Sequence, residues 1–289
     1  MTASTRNMTA PRVNHMETIE LRQESLPLDS IICGDNCDVL GTFPRECIDL
    51  VVTSPPYDDL RTYGGHSWDF YGVAWQLKRV LKVGGVIVWV VNDATIDGSE
   101  TGTSAEQAAF FRKIGLKQHD TMIYQRVAKF PETTRYYPNF EYMFVFAKVA
   151  PKTHNLIADK PNVCFGQSLG ASTQRKADGT LEESWAMRTG AKVKEFGVRG
   201  NVWEIANGFN HSSKDKVAFE HPAIFPEALA RDHIRTWSEE GDIVLDPFSG
   251  SGTTAKMARE LGRRYIGIEL NPEYVEISSK RLEQQLLWS

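Results

Sequence analysis

Apolar residues along the chain fall into short runs that alternate with longer segments of helical spacing. Short apolar runs bounded by turn residues are typical of strands buried on both faces of a parallel sheet. Seven such runs are predicted strands, at residues 31–33, 48–53, 86–91, 121–127, 142–147, 243–245 and 265–268. Helices are predicted at residues 38–43, 68–81, 104–114, 226–237, 253–261 and 273–287. This alternation predicts an α/β fold with a doubly wound, mostly parallel, seven-stranded sheet.

The ends of two predicted helices carry local signals. Gly84 and Gly85 follow the second helix and are expected to end it. Ser104 is the predicted N-cap of the third helix, and Gly115 follows the last residue of that helix.

The regular pattern fades between residues 151 and 220, where Gly, Ser, Asn and charged residues dominate. A structureless loop of ~70 residues is unusual inside a compact domain, so this stretch is predicted to be a functional insertion. Residues 1–17 are polar and are predicted to form a disordered tail. Residues 18–150 and 221–289 then form the two parts of one α/β domain, for which 289 residues are sufficient.

The composition is ordinary for a globular protein, with 41% hydrophobic residues and no apolar run near the ~20 residues that span a bilayer. The start of the chain lacks the apolar core of a signal peptide, so a cytoplasmic location is expected. The net charge of −4 excludes a uniformly basic surface, but residues 112–152 hold eight Lys and Arg against three acids, beside several aromatic residues. Such a mixture suits phosphate contacts and base stacking, although an ordinary solvated face gives the same pattern.

A glycine-rich segment, Asp-Pro-Phe-Ser-Gly-Ser-Gly-Thr-Thr at residues 246–254, follows a predicted strand and opens a predicted helix. In an open α/β sheet, ligands bind at the carboxyl ends of strands, where the next helix offers unpaired N–H groups. Gly250 and Gly252 permit positive φ and close backbone approach. Glu269 ends the next strand, 19 residues after Gly250, where dinucleotide folds place the acid that binds ribose hydroxyls. Because the loop contains no Lys before Thr253, it predicts a nucleoside cofactor rather than a nucleoside triphosphate.

A second short peptide, Ser54-Pro55-Pro56-Tyr57, follows the buried strand predicted at residues 48–53. The hydroxyl of Ser54 and the carbonyl of Pro55 can accept hydrogen bonds from an exocyclic amino group, while Tyr57 offers an aromatic face for stacking. The two prolines fix φ and remove competing N–H donors. The peptide therefore predicts a site for a planar amino group, in which orientation and electrostatic preorganisation do most of the work.

In this order along the chain, the two peptides resemble the motifs of the permuted, beta-class DNA amino-methyltransferases, the cytosine-N4 and adenine-N6 family. The resemblance covers about residues 31–281 and implies a Rossmann-like methyltransferase fold with S-adenosyl-L-methionine as cofactor. It implies that the catalytic tetrad is Ser54, Pro55, Pro56 and Tyr57. It implies that the cofactor site consists of Asp35, Asp246, Pro247, Phe248, Gly250, Ser251, Gly252, Thr253, Glu269, His221, Pro222 and Phe225.

The resemblance also gives some of these residues a role. Asp35 aligns with the acid that recognises the adenine amino group of the cofactor. The peptide that begins at His221 matches the motif that lines the methionine end. The carboxylate of Asp246 can offset the positive charge of the sulfonium.

A serine in the first position of the tetrad is most often associated with methylation of cytosine N4, whereas adenine-N6 enzymes more often have Asp or Asn there. Adenine N6 is therefore the alternative target. An RNA base or a protein glutamine amide is a further alternative, since both present planar amino groups. An alternative of another class is a DNA-binding module that keeps the fold but has lost turnover.

The resemblance implies double-stranded DNA as the partner, with the target base flipped out of the duplex. Residues 151–220 are then the target-recognition insertion, and the protein belongs to a bacterial restriction–modification system or to a phage. No membrane partner is expected, and a homodimer is left open. Candidate DNA contacts are Arg126, Lys129, Arg135, Arg175, Lys176 and Arg199.

The four cysteines do not predict a metal site. Cys33 and Cys37 are four residues apart, but no second Cys or His pair completes a zinc cluster. No Cys follows a Pro, so the Pro-Cys nucleophile of enzymes that methylate carbon 5 of cytosine is missing.

Overall fold

A computed structural model describes residues 25–56, 68–126, 135–136, 138–168, 173–183, 189–208 and 210–286. The strands are β1 (Ser30–Cys33), β2 (Ile48–Thr53), β3 (Leu81–Val91), β4 (Thr95–Ile96), β5 (Ser99–Glu100), β6 (Lys117–Arg126), β7 (Phe140–Ala147), β8 (Ala158–Pro161), β9 (Thr173–Arg175), β10 (Leu181–Glu183), β11 (Phe196–Val198), β12 (Val202–Ile205), β13 (Ile243–Asp246) and β14 (Arg264–Glu269). The α-helices are α1 (Asn36–Thr42), α2 (Phe70–Val80), α3 (Thr103–Lys113), α4 (Glu227–Trp237), α5 (Thr253–Glu260) and α6 (Pro272–Leu286).

Eight strands form the central sheet, in the order β1-β14-β13-β2-β3-β7-β6-β12. Neighbours from β1 to β3 are parallel, β7 is antiparallel to both β3 and β6, and β12 is parallel to β6. The carboxyl ends of β1, β14, β13, β2 and β3 therefore lie at one edge of the sheet. In an open α/β sheet this edge is where ligands bind.

Each face of the sheet is covered by helices. On one face, Leu40, Leu77 and Phe111 from α1, α2 and α3 pack in one buried cluster with Val51 of β2. On the other face, side chains of α4, α5 and α6 pack in a second cluster with Val52. Adjacent residues of one strand thus belong to opposite clusters, as strand alternation requires. The predicted doubly wound α/β fold is confirmed.

The sheet has eight strands rather than the predicted seven. The additional strand, β12, lies within residues 151–220 and pairs with β6 over Val202–Ile205. It was missed because it is short and lies among polar residues, although its residues alternate between exposed and buried. The assignment of residues 151–220 to a separate insertion stays a prediction.

Two of the predicted helix ends were wrong. Helix α2 ends at Val80, and Gly84 and Gly85 lie inside β3, where Gly84 has φ 78° and packs against the chain at Lys152. The N-cap of α3 is Gly102, so Ser104 lies in the first turn and its hydroxyl donates to the Asp93 carboxylate at 2.6 Å. The predicted tail at residues 1–17 lies outside the described residues. None of the helices within the described ranges is long and apolar enough to cross a membrane.

Candidate active site

The two signature peptides follow neighbouring strands. Strand β13 pairs with β2 in parallel, with Val244 opposite Leu50. The first peptide begins after Thr53, and the hydroxyl of Thr53 donates to Asp246 Oδ1 at 2.6 Å. Because both strands end at the same edge of the sheet, the peptides converge although almost two hundred residues separate them.

Asp246 is buried where the two strands end. Its Oδ1 also accepts a hydrogen bond from the backbone N–H of Phe248 at 3.1 Å, which shapes the first turn of the glycine loop. Burial raises the pKa of the Asp246 carboxyl from 3.8 to about 6, the hydrogen bonds from Thr53 and Phe248 offset part of that rise, and the nearby charge of Glu269 adds to it. The site thus contains a carboxylate that ionises at a cost in the free energy of folding.

The glycine loop is held by Glu269 at the end of β14. Glu269 Oε2 accepts the backbone N–H of Gly250 at 2.8 Å, and Oε1 accepts that of Asn271 at 2.9 Å. Gly250 has φ 49°, and a Cβ at this position would lie 3.0 Å from Nε2 of His221. Burial raises the pKa of Glu269, and the two backbone N–H groups counteract part of that effect. Loop, acid and the peptide that begins at His221 therefore form one packed unit.

Arg281 of α6 also holds the glycine loop, through hydrogen bonds. Its side chain is buried, and its Nη1 donates to the carbonyl of Ser251 at 3.0 Å and to the hydroxyl of Thr253 at 2.8 Å. It pairs with Asp215, at 2.9 Å from Nε, and with Glu227, at 2.5 Å from Nη2. Both carboxylates also pair with Lys256, so two cations balance two anions. A buried cation paired in this way fixes the start of α5 and hence the loop that precedes it.

A cavity of about 840 Å³ opens at this edge of the sheet. Three residues of the predicted tetrad, Ser54, Pro55 and Pro56, line it, and the fourth, Tyr57, lies outside the described residues. The predicted cofactor residues that line the cavity are Asp35, His221, Pro222, Phe225, Asp246, Pro247, Phe248, Gly250, Ser251, Thr253 and Glu269. Gly252 is the exception, since it caps α5 and packs against Ser278.

A family model described as DNA methylase matches residues 48–280, which include both signature peptides. The chain belongs to this family. The methylase is 54% identical over 242 residues to the orphan methyltransferase M.BamHII of Bacillus amyloliquefaciens, a match that covers 83% of this chain and 90% of that protein. It is 27% identical to the type II methyltransferase M.SmaI of Serratia marcescens, over 92% of this chain and 94% of that protein.

Solved structures support the same assignment. A structure described as a DNA modification methylase of Thermus thermophilus, in complex with S-adenosyl-L-methionine, matches with a TM-score of 0.60 and 26% identity, over 88% of this chain and 93% of that one. The cytosine-N4-specific PvuII DNA methyltransferase has the same fold, with a TM-score of 0.61 and 22% identity, over 87% of this chain and 85% of that one. The cofactor of the methylase is S-adenosyl-L-methionine.

The end of the cavity beside the glycine loop suits a nucleoside with hydroxyl and amino groups. Glu269 provides an acid at the end of β14, and Asp35 lines the cavity while its Oδ1 caps α1. The hydroxyl of Ser249 is buried without a hydrogen-bond partner among the residues described. Phe248 contacts Trp68 edge to face at 4.9 Å between ring centroids, which gives this part of the cavity an aromatic wall.

Sequence reasoning missed several residues that line the cavity: Trp68, Asn92, Tyr124, Asn207 and Tyr274. Asn92 directly follows β3, so its position after a buried strand was a usable signal. The ring of Tyr274 packs against His221 at 4.3 Å between centroids, a contact across 53 positions of sequence that no local pattern indicates.

The predicted DNA contacts lie in different environments. Arg126 lines the cavity and pairs with Glu141 at 3.4 Å, and Arg135 donates to Thr95 and to the Gly98 carbonyl. Arg175 and Lys176 belong to the exposed hairpin of β9 and β10. Arg199 is bound by Asp159 and Asp232 and lies over the ring of Trp203, while Lys129 is outside the described residues. All six DNA contacts stay predictions.

Proposed function

We propose that the methylase transfers a methyl group to the exocyclic N4 of cytosine in double-stranded DNA, with adenine N6 as the alternative target of the same site. One observation carries the proposal: Ser54 and Pro55 line the same cavity as Asp246, Phe248 and Glu269. Acceptors for an amino group and residues suited to the cofactor thus share one cavity. A serine in the first position of the tetrad favours cytosine.

The protein contributes to catalysis mainly by orienting the amino group of the target base. An exocyclic amino nitrogen is a weak nucleophile because its lone pair is delocalised into the ring. Hydrogen bonds from its two N–H groups to Ser54 Oγ and the Pro55 carbonyl favour a pyramidal nitrogen, whose lone pair is then directed at the methyl group. The cofactor, held by the glycine loop and Glu269, would supply that methyl group on a sulfonium and would keep the electron pair of the broken C–S bond as a neutral thioether. The nitrogen loses one proton to solvent as the C–N bond forms, and preorganised acceptors avoid the cost of reorientation.

The target base must leave the duplex to reach this cavity, because the amino group is inaccessible inside stacked base pairs. Tyr57 is proposed to stack on the extruded base. Among the candidate phosphate contacts, Arg175 and Lys176 have the exposure that backbone contacts require. Arg126 and Arg135 adjoin the cavity and its rim. Arg199 would have to exchange its two carboxylate partners for a phosphate.

The relatives suggest a biological setting. Several are named type II methyltransferases, and M.BamHII is named an orphan methyltransferase. We therefore place the methylase in bacterial DNA modification, in the cytoplasm, with or without a matching restriction enzyme. A homodimer stays a proposal, and the family match gives no support to a catalytically silent DNA-binding module.

The product identifies the target. DNA without amino-methylated bases is incubated with the protein and S-adenosyl-L-methionine, then digested to nucleosides for mass spectrometry. We expect N4-methylcytosine. Detection of only N6-methyladenine would replace cytosine with the alternative target, and methylation of RNA or protein alone would refute DNA as the substrate.

Ser54→Ala tests the site itself. We expect methyl transfer to fall at least about 100-fold, because one of the two acceptors is lost, while S-adenosyl-L-methionine binding measured by calorimetry is retained. Ser30→Ala is the matched control, since the Ser30 hydroxyl donates to the nearby carbonyl of Pro27 and does not line the cavity. Full activity of Ser54→Ala would rule out the tetrad as the catalytic peptide.

A further inference from the structure

Four buried side-chain polar atoms within the described residues have no hydrogen-bond partner: Tyr124 Oη, Arg126 Nε, Asn207 Oδ1 and Ser249 Oγ. All four residues line the same cavity. Leaving a buried polar group unpaired costs about 1–3 kcal/mol, so such groups are rare away from ligand sites. Ser249 belongs to the glycine loop, whereas the other three lie on or just after strands at the far end of the cavity.

Two of these three residues share one face of the sheet. Tyr124 and Arg126 are two positions apart on β6, and β12 pairs with β6 in register, so that Ile205 lies opposite Arg126. Asn207 lies two positions after Ile205, beyond the end of β12, and also lines the cavity. Val52 of β2, two positions before Ser54, packs in the same buried cluster as Tyr124. Tyr124, Arg126 and Asn207 thus form a polar row in the same cavity that Ser54 lines.

The charges along this row cancel. Glu141 lies opposite Tyr124 on β7, and Arg126 pairs with Glu141 at 3.4 Å and also donates to the Pro138 carbonyl. A site without net charge suits the polar edge of a neutral heterocycle better than a phosphate. Burial raises the pKa of Tyr124, the charge of Glu141 adds to the rise and that of Arg126 opposes it, so the hydroxyl remains a donor at neutral pH.

We propose that the Tyr124 hydroxyl binds the ring edge of the flipped target base, beside the amino group whose hydrogen bond Ser54 accepts. This inference rests on the proposed function. In cytosine, the ring nitrogen N3 follows the amino group along that edge and is an acceptor. A tyrosine hydroxyl offers a donor for that atom, whereas the unpaired atom of Asn207 is an amide oxygen, which only accepts. A site that hydrogen-bonds the edge of its substrate discriminates strongly against bases that lack the matching atoms.

Tyr124→Phe removes the hydroxyl and keeps the ring in the core. We expect kcat/KM for a duplex oligonucleotide that carries the mapped target sequence to fall by about 10- to 100-fold, with unchanged S-adenosyl-L-methionine affinity. Thermal stability should be unchanged or higher, because an unpaired buried polar atom is lost. Tyr265→Phe is the control: Tyr265 is buried in the same cluster but does not line the cavity, and its variant should retain full activity.

A substrate change locates the contact. In a duplex whose target cytosine is replaced by 3-deazacytosine, the ring nitrogen becomes a C–H group. If Tyr124 donates to that nitrogen, the wild type loses activity on this duplex, while Tyr124→Phe loses little beyond its own defect.

The outcomes separate the two proposals. If Tyr124→Phe methylates natural DNA as fast as the wild type does, this inference is overturned and the proposed function stays intact. Equal losses for wild type and Tyr124→Phe on the 3-deazacytosine duplex would overturn the ring-nitrogen contact. A wild type that methylates no DNA base would refute the proposed function, and the inference with it.

Discussion

Asp246→Asn offers a quantitative test of what it costs to ionise the buried Asp246 carboxyl. Asn keeps an oxygen that can accept from the Thr53 hydroxyl and the Phe248 N–H, but it removes the buried charge. The folded protein binds a proton at Asp246 with a pKa of about 6, compared with 3.8 for an unperturbed carboxyl. The stability that the protonated Asp246 contributes is therefore fully present below pH 3.8 and is lost as the pH rises through about 6.

The magnitude follows from the two pKa values. Above both of them, ionisation of Asp246 costs about 3 kcal/mol of folding free energy. At pH 5 the same calculation gives about half of that cost. Asp246→Asn should therefore stabilise the cofactor-free protein more at pH 8 than at pH 5, by a difference on the order of 1 kcal/mol.

Urea unfolding of wild type and variant at the two pH values, without cofactor, measures this difference, and titrations common to both proteins cancel. A stabilisation that does not depend on pH, or a variant less stable than the wild type at pH 8, would refute the reasoning. Asp49→Asn is a control for which the opposite change in the free energy of unfolding is expected. Asp49 is also buried, but hydrogen bonds from Lys152 and Lys82 outweigh its burial and lower its pKa. Its variant should lose stability at both pH values.

Two further substitutions test the cofactor loop. Gly252→Ala should lower the free energy of unfolding by about 1–3 kcal/mol in urea titrations, because Gly252 has φ 75° and a Cβ there would lie 2.8 Å from Cβ of Ser278. Gly241→Ala, at φ 82° with open space around it, should cost less, and an equal cost would show that crowding at Ser278 is unimportant. Glu269→Gln should weaken S-adenosyl-L-methionine binding in calorimetry by about 10-fold or more, because a charged hydrogen-bond acceptor is lost. Unchanged affinity would exclude Glu269 from the cofactor site.

The sequence was sufficient for elements whose signal is local. Strand β2 occupies the predicted residues 48–53, because an apolar run that ends at two prolines has few other conformations. Helix α5 begins at Thr253 as predicted, since the glycines before it mark the turn. The glycine loop and the peptide that begins at Ser54, which the structure brings to one cavity, could be picked out for the same reason: each is contiguous and follows a buried strand.

The rest of the site depends on contacts between distant segments. The sequence pattern does not distinguish Tyr124 from the other apolar residues of its strand. Only the pairing of β6 with β7 and β12 brings it to the cavity. Asn207 lies in a stretch without regular pattern, and its position depends on β12, which the sequence did not reveal. Periodicity therefore identifies which face a residue occupies, but not which neighbouring strand will lie beside it.

The position of β1 at the edge of the sheet has a consequence for biosynthesis. Among the described strands its hydrogen-bonded neighbour is β14, and Ser30–Cys33 cannot form this pairing until residues 264–269 have left the ribosome. Meanwhile β2, β3, β7 and β6 can already associate, since all four are encoded before residue 148. Contacts across such separations slow folding and leave strand edges open to aggregation. The nascent protein is thus expected to hold only part of its sheet until residues 264–269 have been synthesised.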